Sequence, residues 1–219
     1  MPKGSPELTE KRKNEIVDAC EQAYRAQGFY GVTIKEIGER ISLTRPAIYN
    51  YFETKEEILL ALLCREYQAW IADVESLIPG AAELDRQEFA DRMAGTLAER
   101  TTLLRILNMN LYEIEQNSRV ERLVEFKRLY LRSIDALQQA ASAYRPETTK
   151  AELVEFAETF SAYLFGVYPF CFHTDKQLEA MKIAGVSLAE PSVREMLVRC
   201  LSRILPGPSR SGDSRYRAR

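Results

Sequence analysis

The side chains best placed to do chemistry in this 219-residue chain sit close together between Thr33 and Leu59, in the stretch TIKEIGERISLTRPAIYNYFETKEEIL. Two short helical patterns are separated by a brief turn at Ser42-Leu43. The second holds Ile48 and Phe52 four residues apart, one helical turn, so both face inward. Arg45, Pro46, Ala47, Tyr49 and Asn50 are thereby turned outward near a helix N-terminus. That end carries a positive dipole and unsatisfied N–H groups, which suit phosphate, and it can enter a major groove, where base edges present a readable donor and acceptor code.

Other chemistry is poorly provided for. The only histidine is His173, which rules out a histidine-cluster metal site. Paired with Cys171 it does not converge on a metal either, because residues two apart on a helix point apart. No nucleophile–base constellation, phosphate-cradling glycine loop or metal-ligand spacing is found, so the expectation is a non-enzyme with no cofactor and no metal. Cys20, Cys64, Cys171 and Cys200 are too sparse for a disulfide scaffold. The N-terminus has no apolar signal region. The longest strongly apolar run, from Ala162 to Phe172, is too short to span a bilayer. A cytoplasmic protein with no membrane partner is expected.

The elements that must position this cluster are helical throughout. Ile16, Ala19, Cys20, Ala23 and Tyr24 form one apolar stripe of a helix over about 9–27, which Gly28 ends. Thr33 and Glu36 spell a capping box, with Ile34, Ile37 and Ile41 inward. Thr44 is placed to cap the next helix, and Pro46 is tolerated in its first turn. Thr54 and Glu57 form a second box opening a helix that runs to about 78. Further helices are expected over 86–101, 103–115, 119–143, 149–173 and 192–205, with a shorter one over 176–185. No strand or repeat pattern stands out. The fold class is all-α, with an N-terminal helix-turn-helix and a larger helical remainder.

TRPAIYNYFETKEEIL, preceded by GVTIKEIGERISL, resembles the DNA-binding domain of the TetR family of bacterial transcription regulators. The residues carrying the likeness are Gly28, Phe29, Thr33, Ile37, Gly38, Thr44, Ile48, Tyr49, Tyr51, Phe52, Lys55 and Glu56, about the first quarter of the chain. The resemblance implies that Thr33 contacts phosphate and that Thr44 caps the recognition helix and also reaches phosphate. It implies that Arg45, Pro46, Ala47 and Tyr49 read bases or pack on thymine methyls, and that Asn50, Tyr51 and Lys55 hold the DNA backbone. Arg45 suits guanine, since a guanidinium bonds O6 and N7 together.

The resemblance also implies a homodimer on a pseudo-palindromic double-stranded operator. One helix-turn-helix makes a small interface, so two half-sites are expected on physical grounds too. The expected division is 1–55 for DNA binding, 56–206 for ligand binding and dimerisation, and 207–219 for a disordered basic tail. Helices over 149–173 and 192–205 are the candidate interface, through Phe156, Phe160, Val167, Met196, Leu197, Cys200, Leu201 and Ile204. A pocket for an unknown small-molecule effector is expected among Tyr67, Trp70, Leu104, Leu107, Tyr112, Phe126, Tyr130, Phe160, Tyr163 and Leu164. The same residues also suit an ordinary core. A ligand-independent nucleoid-type or protein-interaction factor is the alternative. Repression is adopted as the family's commoner mode.

The net charge of −2 hides an internal contrast. Residues 1–55 hold nine Lys/Arg against eight Asp/Glu. Such a barely basic head must rely on placed side chains more than on a diffuse electrostatic field.

Overall fold

The computed structural model describes residues 5–186 and 190–207. The expected tail lies outside these, apart from Gly207. Among the described residues the secondary structure is entirely helical: α1 (Pro6–Gly31), α2 (Ile34–Arg40), α3 (Arg45–Tyr49), α4 (Lys55–Glu75), α5 (Arg86–Ala98), α6 (Thr101–Met109), α7 (Leu111–Gln116), α8 (Val120–Tyr144), α9 (Lys150–Leu164), α10 (Tyr168–Cys171), α11 (Asp175–Ile183) and α12 (Val193–Ile204), with one 3-10 turn at Ala81–Glu83. The chain divides into two compact units. The first takes residues up to Ala69 together with Thr102–Leu131, and the second takes Trp70–Thr101 and the chain from Arg132 onward. Helices α4 and α8 contribute residues to both.

The first unit is built on the α1 stripe. Ile16, Ala19, Cys20, Ala23 and Tyr24 are all at most 2% exposed. Gly28 interrupts this helix at φ 70, ψ −174, a backbone region essentially restricted to glycine. A β-carbon there would meet only the tip of the Arg105 side chain, at 2.9 Å, which can move aside. The strain is therefore in the backbone, and Gly28→Ala is expected to lower unfolding stability by about 1–3 kcal/mol, measured by urea denaturation. A wild-type midpoint would show that the turn relaxes without cost. Beyond the turn, Ile37, Ile48 and Phe52 bury the helix-turn-helix core, while Ile34 and Ile41 are only half-buried flanks.

Two expected helices are each broken, for local reasons. The 103–115 pattern breaks at Asn110, whose φ −137 and ψ −7 lie off the helix. Its Oδ1 accepts the Tyr24 hydroxyl at 2.8 Å. The 149–173 pattern stops at Leu164. Pro169 has no N–H to give the Phe165 carbonyl, so the helix cannot run through it unbroken, and a turn over 165–167 intervenes. Helix α4 stops at Glu75, short of 78. There the Ser76 hydroxyl donates to the Asp73 carbonyl at 2.6 Å, a bond that competes with the helical ladder.

In the second unit α12 packs on α5 and α9. Arg86 on α5 closes the C-terminus of α12, donating to the carbonyls of Ser202, Leu205 and Pro206 at 3.1, 2.9 and 2.9 Å. Among the described residues, full capping boxes Asp85/Glu88, Thr149/Glu152, Thr174/Gln177 and Ser192/Glu195 open α5, α9, α11 and α12. Trp70 is buried and donates to the Thr96 hydroxyl at 3.0 Å. No helix among the described residues is long and apolar enough to cross a membrane.

Candidate nucleic-acid interface

Helix α3 is five residues long, RPAIY. So few aligned peptide units leave little macrodipole, so side chains must supply most of any recognition. Ile48 is fully buried and anchors the helix, whereas Tyr49 is 54% exposed. Arg45, Pro46 and Asn50 are exposed beside it, and Ala47 and Tyr51 are half-buried. Thr44 occupies the N-cap position at φ −74, ψ 156 but makes no side-chain capping bond. The Ala47 and Ile48 amides donate instead to the Thr44 carbonyl, at 2.9 and 3.1 Å, and Pro46 has no amide N–H.

Thr33 is exposed and caps α2, its hydroxyl oxygen accepting the Glu36 amide at 3.1 Å. The expected reciprocal half of the box is replaced. The Glu36 carboxylate instead takes Arg40 and the Gln27 amide, which together hold its carboxyl below the usual range. Lys55 turns inward. Its Nζ donates to the Phe29 carbonyl at 3.1 Å and lies 4.3 Å from that ring's centre, closing the end of α1. Tyr30, 83% exposed at the end of α1, and Lys35, exposed in the first turn of α2, flank Thr33 in the sequence. Their positions off the apolar stripes gave no periodic signal.

Behind α3, the Thr54 oxygen caps α4 by accepting the Glu57 amide at 3.1 Å. The Glu57 carboxylate does not return to Thr54; Oε2 accepts the Glu53 amide at 2.9 Å. Glu57 is only 1% exposed. Arg119 reaches it with Nε at 2.6 Å and Nη2 at 2.8 Å. Burial pushes the carboxyl up, but the Arg119 and backbone hydrogen bonds outweigh it and hold the group below its usual range. Sequence reading missed Arg119 and Arg122 as parts of this site. Their link to the helix-turn-helix spans more than sixty residues, and no local period reports it.

The expected pocket residues fall into two sets. Tyr67, Leu104, Leu107, Phe126, Tyr130 and Tyr112 belong to the first unit. The first four are buried, and Tyr67 meets Phe126 and Tyr130 edge-on, at 5.7 and 6.5 Å between ring centres. Tyr112 does not join them, being 84% exposed. Trp70, Phe160, Tyr163 and Leu164 belong to the second unit, where Tyr163 donates to the Met196 carbonyl at 3.2 Å. None of the ten lines a solvent-open cleft of about 370 Å³ in the first unit, which α1, α4 and α8 border with Val17, Phe52, Leu60, Cys64 and Arg122 among its walls. Burial there pushes the Cys64 thiol up to about 12.

Of the candidate interface residues, Phe156, Phe160, Val167, Leu197 and Leu201 are buried within their own chain. Met196, Cys200 and Ile204 are half-buried and recur every fourth residue along α12. Among the described residues no cluster of three metal-ligating side chains forms.

An all-helical chain with this N-terminal helix-turn-helix has the architecture of a bacterial regulator. Residues 16–62 match the family model described as "Bacterial regulatory proteins, tetR family". Residues 64–211 match the one described as "Tetracyclin repressor-like, C-terminal domain". The chain belongs to the TetR family, a family of transcriptional regulators and not of enzymes.

Among curated relatives, the HTH-type transcriptional regulator HbdR of Aromatoleum sp. is 29% identical over 75 residues, covering 34% of this chain and 33% of that protein. The HTH-type transcriptional repressor AcnR of Corynebacterium diphtheriae is 32% identical over 74 residues, 34% of this chain and 38% of that one. The chain therefore spans about a third of the length of the curated relatives it matches. The fatty acid degradation regulator FadR from Bacillus halodurans shares the fold at a TM-score of 0.57 and 15% identity, over 94% of this chain and 98% of that one. The regulator FadR from Bacillus subtilis, solved in complex with stearoyl-CoA, does so at 0.54 and 16%, over 89% and 98%.

Proposed function

We propose that this protein is a dimeric TetR-like repressor of transcription. It acts in the cytoplasm, binds a pseudo-palindromic double-stranded operator and is released by a small-molecule effector. The observation that carries the DNA-binding reading is the division of α3, with Ile48 fully buried while Arg45, Pro46, Tyr49 and Asn50 stand exposed on the other side. A short helix anchored by one side chain and bare along its outer edge suits insertion into a groove. Family membership and the likeness to the transcriptional repressor AcnR support the sign of regulation. The half-buried stripe of Met196, Cys200 and Ile204 supports pairing with a second copy through α12. Residues 1–55 act as the DNA-reading part and 56–206 as the effector and dimer part. A hundredfold release by effector requires only about 2.7 kcal/mol of coupling.

Selection of bound duplexes from a random-sequence pool tests this. The expected product is a pair of inverted half-sites whose centres lie about 10 base pairs, or a multiple of that, apart. Binding should fall with added salt less steeply than for strongly basic heads, because few charges are available to release counterions. A pool that emerges without sequence enrichment would favour a nucleoid-type binder and sink the operator reading.

A further inference from the structure

Glu57 is a carboxylate withdrawn from solvent in the first turn of α4, 1% exposed. A buried charge is tolerated only when it is paired and hydrogen-bonded. The pairing comes from the segment just ahead of α8. Arg119 presents its planar fork, Nε to one carboxylate oxygen at 2.6 Å and Nη2 to the other at 2.8 Å. The Arg119 amide adds a longer bond at 3.3 Å. Its remaining nitrogen, Nη1, lies 2.9 Å from the Glu53 carboxylate. Fork-to-fork pairs of this kind fix direction as well as distance.

Two more bonds run between the same segments. The Thr54 hydroxyl donates to the Asn117 carbonyl at 3.0 Å. Arg122 donates through Nη2 to the Tyr51 carbonyl at 3.2 Å, with its guanidinium 5.7 Å from the centre of the Phe52 ring. Residues 51, 53, 54 and 57 are thus held by residues 117, 119 and 122. All four holding points follow directly behind α3, which is five residues long and has no side-chain cap. A helix this short has little stability of its own, so its direction depends on the buried Ile48 and on the chain that leaves it. Packing does not fix that direction alone, because Phe52, Glu57 and Arg122 border the 370 Å³ cleft.

We propose that Glu57, through Arg119, is the positioning residue of the recognition helix α3, so that discrimination between operator and other DNA depends on this tie although neither side chain reads a base. The proposal rests on the DNA-binding reading above.

The test uses the full chain, the selected operator and a random-sequence duplex of equal length. Arg119→Met is expected to weaken operator binding about tenfold or more while changing random-duplex binding less than about twofold. Arg119→Lys keeps the charge without the fork and should fall between. The double variant Glu57→Gln with Arg119→Met strands no buried charge, so it should recover melting temperature relative to Arg119→Met while keeping the lost discrimination. A purely structural pair would shift the melting temperature and leave the discrimination of the folded variants at the wild-type ratio, and that result overturns the proposal. Equal losses on both duplexes also overturn it, since Arg119 would then be a phosphate contact. Wild-type protein that fails to discriminate overturns the DNA-binding reading itself. Wild-type discrimination with unchanged variants overturns only the tie.

Discussion

Phe52→Ala is expected to remove about 3–5 kcal/mol of unfolding stability. The side chain is 2% exposed, lies one turn beyond the fully buried Ile48, and carries the Arg122 guanidinium over its ring. Truncation removes the transfer contribution of the ring and leaves space that helices fixed by their own ladders cannot fill. It also widens the solvent-open cleft that Phe52 already borders. The denaturant midpoint should fall with an unchanged slope. Tyr49→Ala is the internal control. It lies three residues earlier but is 54% exposed, so its effect on stability should stay within about 0.5 kcal/mol. A Phe52→Ala loss below about 1 kcal/mol would mean that α3 is held by something other than this miniature core.

Arg45→Ala should show the opposite profile. Arg45 is exposed at the start of α3, so stability should barely change. Operator binding should weaken by about 1–3 kcal/mol, the worth of one bidentate guanine contact, while binding to random duplex changes little. Competition titrations with both duplexes at fixed salt measure the difference. Equal weakening on the two would reassign Arg45 to the DNA backbone.

Local periodicity made the helices legible. The α1 stripe was readable because five apolar residues recur at helical spacing, and Ile48 and Phe52 were readable for the same reason. Breaks were harder. Asn110 is taken out of the helix by a partner 86 residues away in sequence, Tyr24, which no window contains. The Glu57–Arg119 tie was invisible on the same ground, and Glu57 passed for an ordinary capping residue. Tyr112 was misplaced because an aromatic at helical spacing looks alike whether it faces core or solvent. Core and pocket linings use the same residue types as well, so the pattern that nominated Trp70, Phe160 and Leu164 could not say which they form.

The first unit is discontinuous, completed only by residues 102–131. During synthesis at the usual pace, about 3–12 seconds separate the emergence of Ala69 from that of Leu131. For that interval the nascent helix-turn-helix has its own small core but lacks the covering helices, and Glu57 lacks Arg119. A fragment ending near residue 62 would stay in that unfinished condition permanently. The DNA-reading helices thus leave the ribosome well ahead of the segment that completes them, so a ribosome that stalls before residue 131 releases an incomplete reading head.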